Sequence, residues 1–238
     1  MKRVLYAGIF ALCVMVCATA AYSSVDGTFE VALVAVDGDV QVDEKGDGTW
    51  SYAIAGMRLK TGAGLKTGYD SSVDIVYDAE GLNLVSIDGD SRITISQESL
   101  ELLKGSVLVK FDNMGTGSSF VVKTPTAACG IRGSGMGVDF IQGMTVVKAF
   151  EDRVYVQGLD ARGNPVGTEI IIPEGWKTAV KEGGTSEPPE ELSENEQKIW
   201  DAWIEIITGE GEEEGPGEED EEPDPKDLDD VKDISPSQ

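Results

Sequence analysis

The chain has 238 residues, 40% hydrophobic and 26% charged, with a formal net charge of -25. A surface so acidic repels phosphate backbones and anionic lipid, which argues against nucleic-acid binding and lipid docking. Histidine is absent, which removes Ser-His-Asp and Cys-His catalysis and every zinc site that needs imidazole.

In chain order, the first element is "MKRVLYAGIFALCVMVCATAAYSS". Lys2 and Arg3 form a short positive region, an apolar run follows, and Ala18-Thr19-Ala20 is a small-x-small cleavage site. These features predict a secretory signal peptide over residues 1–20. The alternative is an uncleaved anchor, since residues 4–21 make an apolar run of borderline spanning length. Either way the positive end stays in the cytoplasm and the rest of the chain is expected outside it, in the periplasm or secreted. Lipidation at Cys17 is disfavoured, because Val16 stands where a small residue is wanted. Cleavage leaves Cys129 as a lone cysteine, unable to form an internal disulfide and read as a small buried apolar residue.

The body over residues 28–182 reads as all-β. Short Val- and Ile-rich runs such as "FEVALVAV", "SSVDIVY", "SRITIS", "SFVVKT", "DRVYVQG" and "TEIIIP" are bounded by turn residues. In "GSVLVKF" the alternation puts Val107, Val109 and Phe111 on one face. The expected fold is a β-sandwich or a short solenoid-like β-roll. Starts of the Gly/Asp-x-Val-x-Val pattern at residues 38, 105 and 152 are unevenly spaced, so a regular repeat array is not supported. The acidic turns "DEKGDG" and "DGDS" do not match an EF-hand loop and read as turns rather than calcium sites.

The segment "TPTAACGIRGSGMGVDF", residues 124–140, packs Gly130, Gly133, Gly135 and Gly137 around Arg132 and Ser134. It lacks the Gly-Lys-Ser/Thr ending of a phosphate loop, the β-α-β context of a dinucleotide fingerprint and the spacing of a nucleophile elbow. The remaining reading is a tight crossing between two strands whose backbones run close together. Arg132 is expected to brace this crossing through carbonyls or a carboxylate, its functional alternative being an anion site.

Residues 183–192 read as a Gly/Pro linker. Ser193 and Glu196 form a capping box, Trp200 and Trp203 fall on the apolar face of a helix over 193–208, and Gly209 stops it. The helix is expected to dock on the β-body; the alternative is that the two tryptophans grip a partner. Residues 209–238 are acidic with almost nothing to bury, and are expected to be disordered. From residue 183 to the end there are 21 acidic and 3 basic residues, so the tail holds most of the charge.

The ordered blocks of the body resemble the FecR domain family. They are "GDVQV"; Gly56 and Leu59, then Thr67, Gly68 and Ser71 leading into a strand; "LLKGSVLVKF"; "FVVKTPTAACGIRGSGMGVDF", like the family's Phe-x-Val-x-Thr-Pro strand and Arg-Gly-Thr step; and "TVVKAFEDRVYVQG" with "IIIPEGWKTAV". The resemblance covers about residues 28–182, with Ser134 replacing the usual threonine. It implies a periplasmic β-domain without catalysis or cofactor. The cytoplasmic sigma-factor-binding segment of regulatory members is not expected here. The expected function is binding of an envelope protein or polysaccharide, in envelope sensing or signalling, with Arg132, Ser134, Trp200 and Trp203 as candidate binding residues. The alternatives are a structural surface module with a spacer tail, or a hydrolase using paired carboxylates. Contact with a membrane is expected only if the signal segment stays uncleaved.

Overall fold

A computed structural model describes residues 30–112, 114 and 118–209. The expected signal segment, with Cys13 and Cys17, and the acidic tail from residue 210 lie outside the described residues. Among the described residues no helix is long and apolar enough to cross a membrane.

Strands make up nearly all the regular structure of the described chain apart from one helix, as the alternating Val/Ile runs require. One sheet is built from β1 (Glu30–Asp37), β4 (Arg58–Lys60), β6 (Ser72–Val76), β7 (Asn83–Ile87), the second half of β9 (Ser99–Phe111), β12 (Ser134–Ile141), β13 (Met144–Ala149), β16 (Trp176–Val180) and β17 (Glu190–Glu191). Its order is β4–β1–β6–β7–β9–β12–β13–β16–β17. The second sheet uses β2 (Val40–Asp43), β3 (Ser51–Tyr52), β5 (Gly64–Thr67), β8 (Arg92–Ile95), the first half of β9, β10 (Phe120–Lys123), β11 (Ala127–Ile131), β14 (Arg153–Leu159) and β15 (Pro165–Pro173). Its order is β3–β2–β5–β8–β9–β10–β11–β14–β15, with β9–β10 parallel and the other pairs antiparallel. Leu33, Ile75, Val109 and Val138 from the first sheet and Leu65, Ile93, Leu100, Val122 and Val156 from the second fill one apolar core. This is the arrangement of a sandwich, each sheet hiding its apolar face against the other. Cys129 on β11 lies in that core, where burial pushes its thiol well above the ordinary range.

β9 belongs to both sheets. Leu100 and Leu102 point into the core from its first half, whereas Val107, Val109 and Phe111 do so from its second. The inward positions therefore change from even to odd numbers, which needs one irregular step. The step is marked by the register shift opposite Arg92 and Ile93 and by Gly105, whose φ of 95° suits glycine alone.

The corner beside this step explains the Thr67, Gly68 and Ser71 pattern. Thr67 Oγ1 donates to the Asp88 carbonyl at 2.7 Å and accepts from the Ser91 N–H at 2.9 Å. Ser71 Oγ accepts from the Asp39 N–H at 2.8 Å, and Ser91 Oγ accepts from the Ser106 N–H at 3.0 Å. Three turns and the bend of β9 are thus stitched by hydroxyls that satisfy backbone groups otherwise stranded at the sandwich edge. The "DEKGDG" turn is closed by its own first residue, as the Asp43 carboxylate accepts from the Asp47 and Gly48 N–H groups.

Helix α1 (Glu194–Thr208) carries the expected capping box and ends at Gly209 in the left-handed conformation. The expected linker over 183–192 is more structured than its Gly and Pro content suggests, since β17 pairs Glu190 and Glu191 with β16.

Candidate functional site

The glycine-rich segment is the passage from one sheet to the other. β11 lies in the second sheet and β12 in the first, joined by Arg132 and Gly133, whose φ is 88°. Ser134 turns its hydroxyl inward and donates to the carbonyl of Glu151. Its role is to hold the crossing against the β13–β14 turn; serine keeps the hydroxyl that threonine would supply.

The two glycines beyond the crossing make room for the helix. A Cβ on Gly135 would lie 2.4 Å from the Trp200 ring, and one on Gly137 would lie 3.0 Å from the Phe150 ring. Trp200 sits on this bare backbone, stacked on Phe150 at 4.7 Å with a 7° interplanar angle, and Trp203 meets it edge-on at 5.2 Å. Leu84, Leu108, Leu192, Ile204 and Ile207 complete the patch. Trp200 is 3% exposed and Trp203 8% exposed. The helix therefore crosses the outer face of the first sheet, and both tryptophans are covered by their own chain.

Charge locks the start of the helix. Lys177 Nζ donates to Glu196 at 2.9 Å, and Lys148 Nζ lies 3.9 Å from the same carboxylate. Burial opposes the Glu196 charge, but the bonds from Lys177 and from the Ser193 backbone and hydroxyl outweigh it and hold the carboxyl near 2, below the ordinary 4.5. On the same face Asp74 behaves in the opposite sense, because burial raises it to about 6 despite a hydrogen bond from Ser86.

These two groups predict the acid behaviour of the domain. The Glu196 contribution is complete above its unfolded pKa near 4.5 and is lost as pH falls toward 2. Asp74 adds stability as pH falls from about 6 toward its unfolded 3.8, since the folded state takes up the proton first. Glu196→Gln is expected to flatten the low-pH loss and Asp74→Asn the rise above it, read from urea midpoints across that range. Unchanged profiles in both variants would contradict these assignments.

On the opposite face of the sandwich lies Arg132. Its guanidinium stands 4.8 Å from the centre of the Tyr155 ring, so it stacks on an aromatic face and, among the described residues, bonds no carbonyl or carboxylate. With Val121, Ala128, Gly130 and Tyr155 it borders an open groove of about 150 Å³. The crossing thus separates the four candidate residues. Ser134, Trp200 and Trp203 are built into the fold, and Arg132 alone is presented to solvent. Tyr155 could have been found from its outward place in the alternation of "RVYVQG"; the groove itself could not, because it forms across four strands, β10, β11, β14 and β15.

A family model described as "FecR protein" matches residues 63–155. Residues 63–155 are therefore the FecR-like part of the chain. The match runs from the start of β5 into β14, so β1–β4, β15–β17 and helix α1 lie outside it. Two crystal structures of a candidate anti-sigma factor from Parabacteroides distasonis ATCC 8503 are similar at 16% identity and a TM-score of 0.44. The likeness covers 60% of this chain and 64% of those chains. No curated protein matches the chain.

Proposed function

We propose that the protein is an exported FecR-domain protein that binds a protein or polysaccharide of the bacterial cell envelope and serves envelope signalling without catalysis. The observation that carries this reading is the FecR match over residues 63–155. Two features support it. The N-terminal charge and apolar run are those of an export signal. The groove beside Arg132 and Tyr155 also leaves a cation and an aromatic face available in an otherwise acidic chain.

The test is made on full-length protein expressed in a bacterial host. Intact mass of the periplasmic fraction is expected to show a chain beginning near Ala21. A photo-crosslinking residue at position 155 is expected to capture an envelope component, and one at position 203, under the helix, is not. A cytoplasmic product, or equal capture at the two positions, would overturn the reading.

A further inference from the structure

We propose that the outer face of the second sheet seats an acidic segment of this same chain, residues 227–234. The charges of the described domain are unevenly partnered. On the first sheet Lys110, Lys148 and Lys177 are each neutralised by carboxylates. On the second sheet Lys66, Arg92, Lys123 and Arg132 have no carboxylate within 4.0 Å among the described residues; Lys66 and Arg92 lie over the Trp50 ring and Arg132 over Tyr155, contacts that hold the cations without neutralising their charge. In a chain of net charge -25, four such cations on one face leave a field that an acidic segment would complement.

The cations form a diagonal. Lys66 lies opposite Arg92 in register, Lys123 lies two strands further on beside Glu101, and Arg132 follows the end of β11. From β5 to β11 there are four strand spacings, about 19 Å. Glu101, Glu169 and Asp43 are the opposing charges at outward strand positions of this face, and Asp43 is buried with its carboxylate spent on the N–H groups of Asp47 and Gly48. Between Lys123 and Arg132 lies the apolar floor of the groove, with Val121 opposite Gly130 and Gly130 opposite Tyr155.

Gly130 leaves this floor open. Two other outward glycines have a tryptophan over them, Trp50 at 3.1 Å from a Cβ on Gly64 and Trp200 at 2.4 Å from one on Gly135. A Cβ on Gly130 would meet nothing nearer than Val121 Cγ2 at 3.8 Å. The groove of about 150 Å³ suits aliphatic side chains rather than an indole.

The sequence "DLDDVKDI", residues 227–234, has the matching chemistry. Asp227, Asp229, Asp230 and Asp233 supply carboxylates, and Leu228, Val231 and Ile234 are the aliphatic residues of the last 29 positions. Eight extended residues span about 26 Å, comparable with the diagonal. The described chain ends with Gly209 over the first sheet, and the 18 residues from 210 to 227 can reach up to about 60 Å, enough to round a sandwich whose sheets lie about 10 Å apart. Tethering gives an effective concentration in the millimolar range, so a weak, salt-sensitive contact is well populated in the monomer. Any acidic partner of this face must then displace the tail.

The experiment is zero-length carbodiimide coupling of dilute full-length protein, with the linked peptides of the monomer mapped by mass spectrometry. Carboxylates of residues 227–233 are expected to link to Lys123 and Lys66, at least about fivefold more often than to Lys45, Lys60 or Lys181, and about 0.5 M NaCl should abolish the preference. The double variant Arg92→Glu with Arg132→Glu keeps the reporting lysines; it should lose the links while melting like the parent. Even labelling of all lysines, links confined to dimers, or links that survive the double charge reversal would each overturn the proposal. The dimer result would place a second copy's tail on the face.

Discussion

Trp200→Ala should destabilise the domain by about 3–5 kcal/mol, the range for removing a buried indole. The ring is almost wholly covered, stacked on Phe150 and seated on Gly135, so its loss leaves a cavity that bare backbone cannot collapse to fill. The cost is limited by the docking free energy of the helix, because the sandwich core is a separate cluster. A two-step urea transition is therefore expected, with the fluorescence of Trp203 reporting release of the helix first. Gly135→Ala should approach the same loss in the parent, since its Cβ would enter the Trp200 ring, yet be nearly neutral in the Trp200→Ala background. Additive costs in that double-mutant cycle would show that Gly135 serves something other than the indole. Trp203→Phe should cost less than Trp200→Ala, as the buried Trp203 Nε1 has no acceptor among the described residues and the change removes an unsatisfied donor.

Gly105→Ala should be the most damaging glycine substitution tested, costing at least about 3 kcal/mol. Two penalties coincide there. The φ of 95° strains any L-residue, and a Cβ would lie 2.0 Å from Ser91 Oγ and 2.5 Å from Ser91 Cα, so backbone as well as side chain must move. That movement would disturb the point at which β9 passes from one sheet to the other, along with the Ser91 bond to the Ser106 N–H. Gly143, in the β12–β13 turn, is the control. Its φ is 78° with nothing within 4 Å of a Cβ, so alanine there should cost about 1 kcal/mol, backbone strain alone. Equal urea midpoints for the two variants would refute the steric part of the argument.

The comparison of these glycines shows what a linear pattern conveys. Alternation in "GSVLVKF" and "DRVYVQG" assigned strands and inward faces, because burial on one side of a pleated sheet leaves a period of two in the residues themselves. Ser193, Glu196 and Gly209 announced the helix ends for an equally local reason, since caps satisfy the chain's own terminal N–H and C=O groups. The FecR-like blocks were legible as an ordered series of such local features. Their stitching by Thr67, Ser71 and Ser91 was not, because each hydroxyl bonds a turn distant in the chain.

The candidate site divides in the same way. Composition and pattern by themselves determined that the protein is acidic, strand-built, without histidine chemistry, and equipped with one capped amphipathic helix ahead of an acidic tail. Only the tertiary structure decided that Gly135 is a seat for Trp200, that Arg132 stacks on Tyr155, and that Lys66, Arg92, Lys123 and Arg132, each without a carboxylate partner among the described residues, share the outer face of one sheet. The physical reason is that a glycine is permissive anywhere and a charge is neutralised only by what lies beside it. Both properties depend on which strands become neighbours, and that is settled by the long-range packing of two sheets around a shared core.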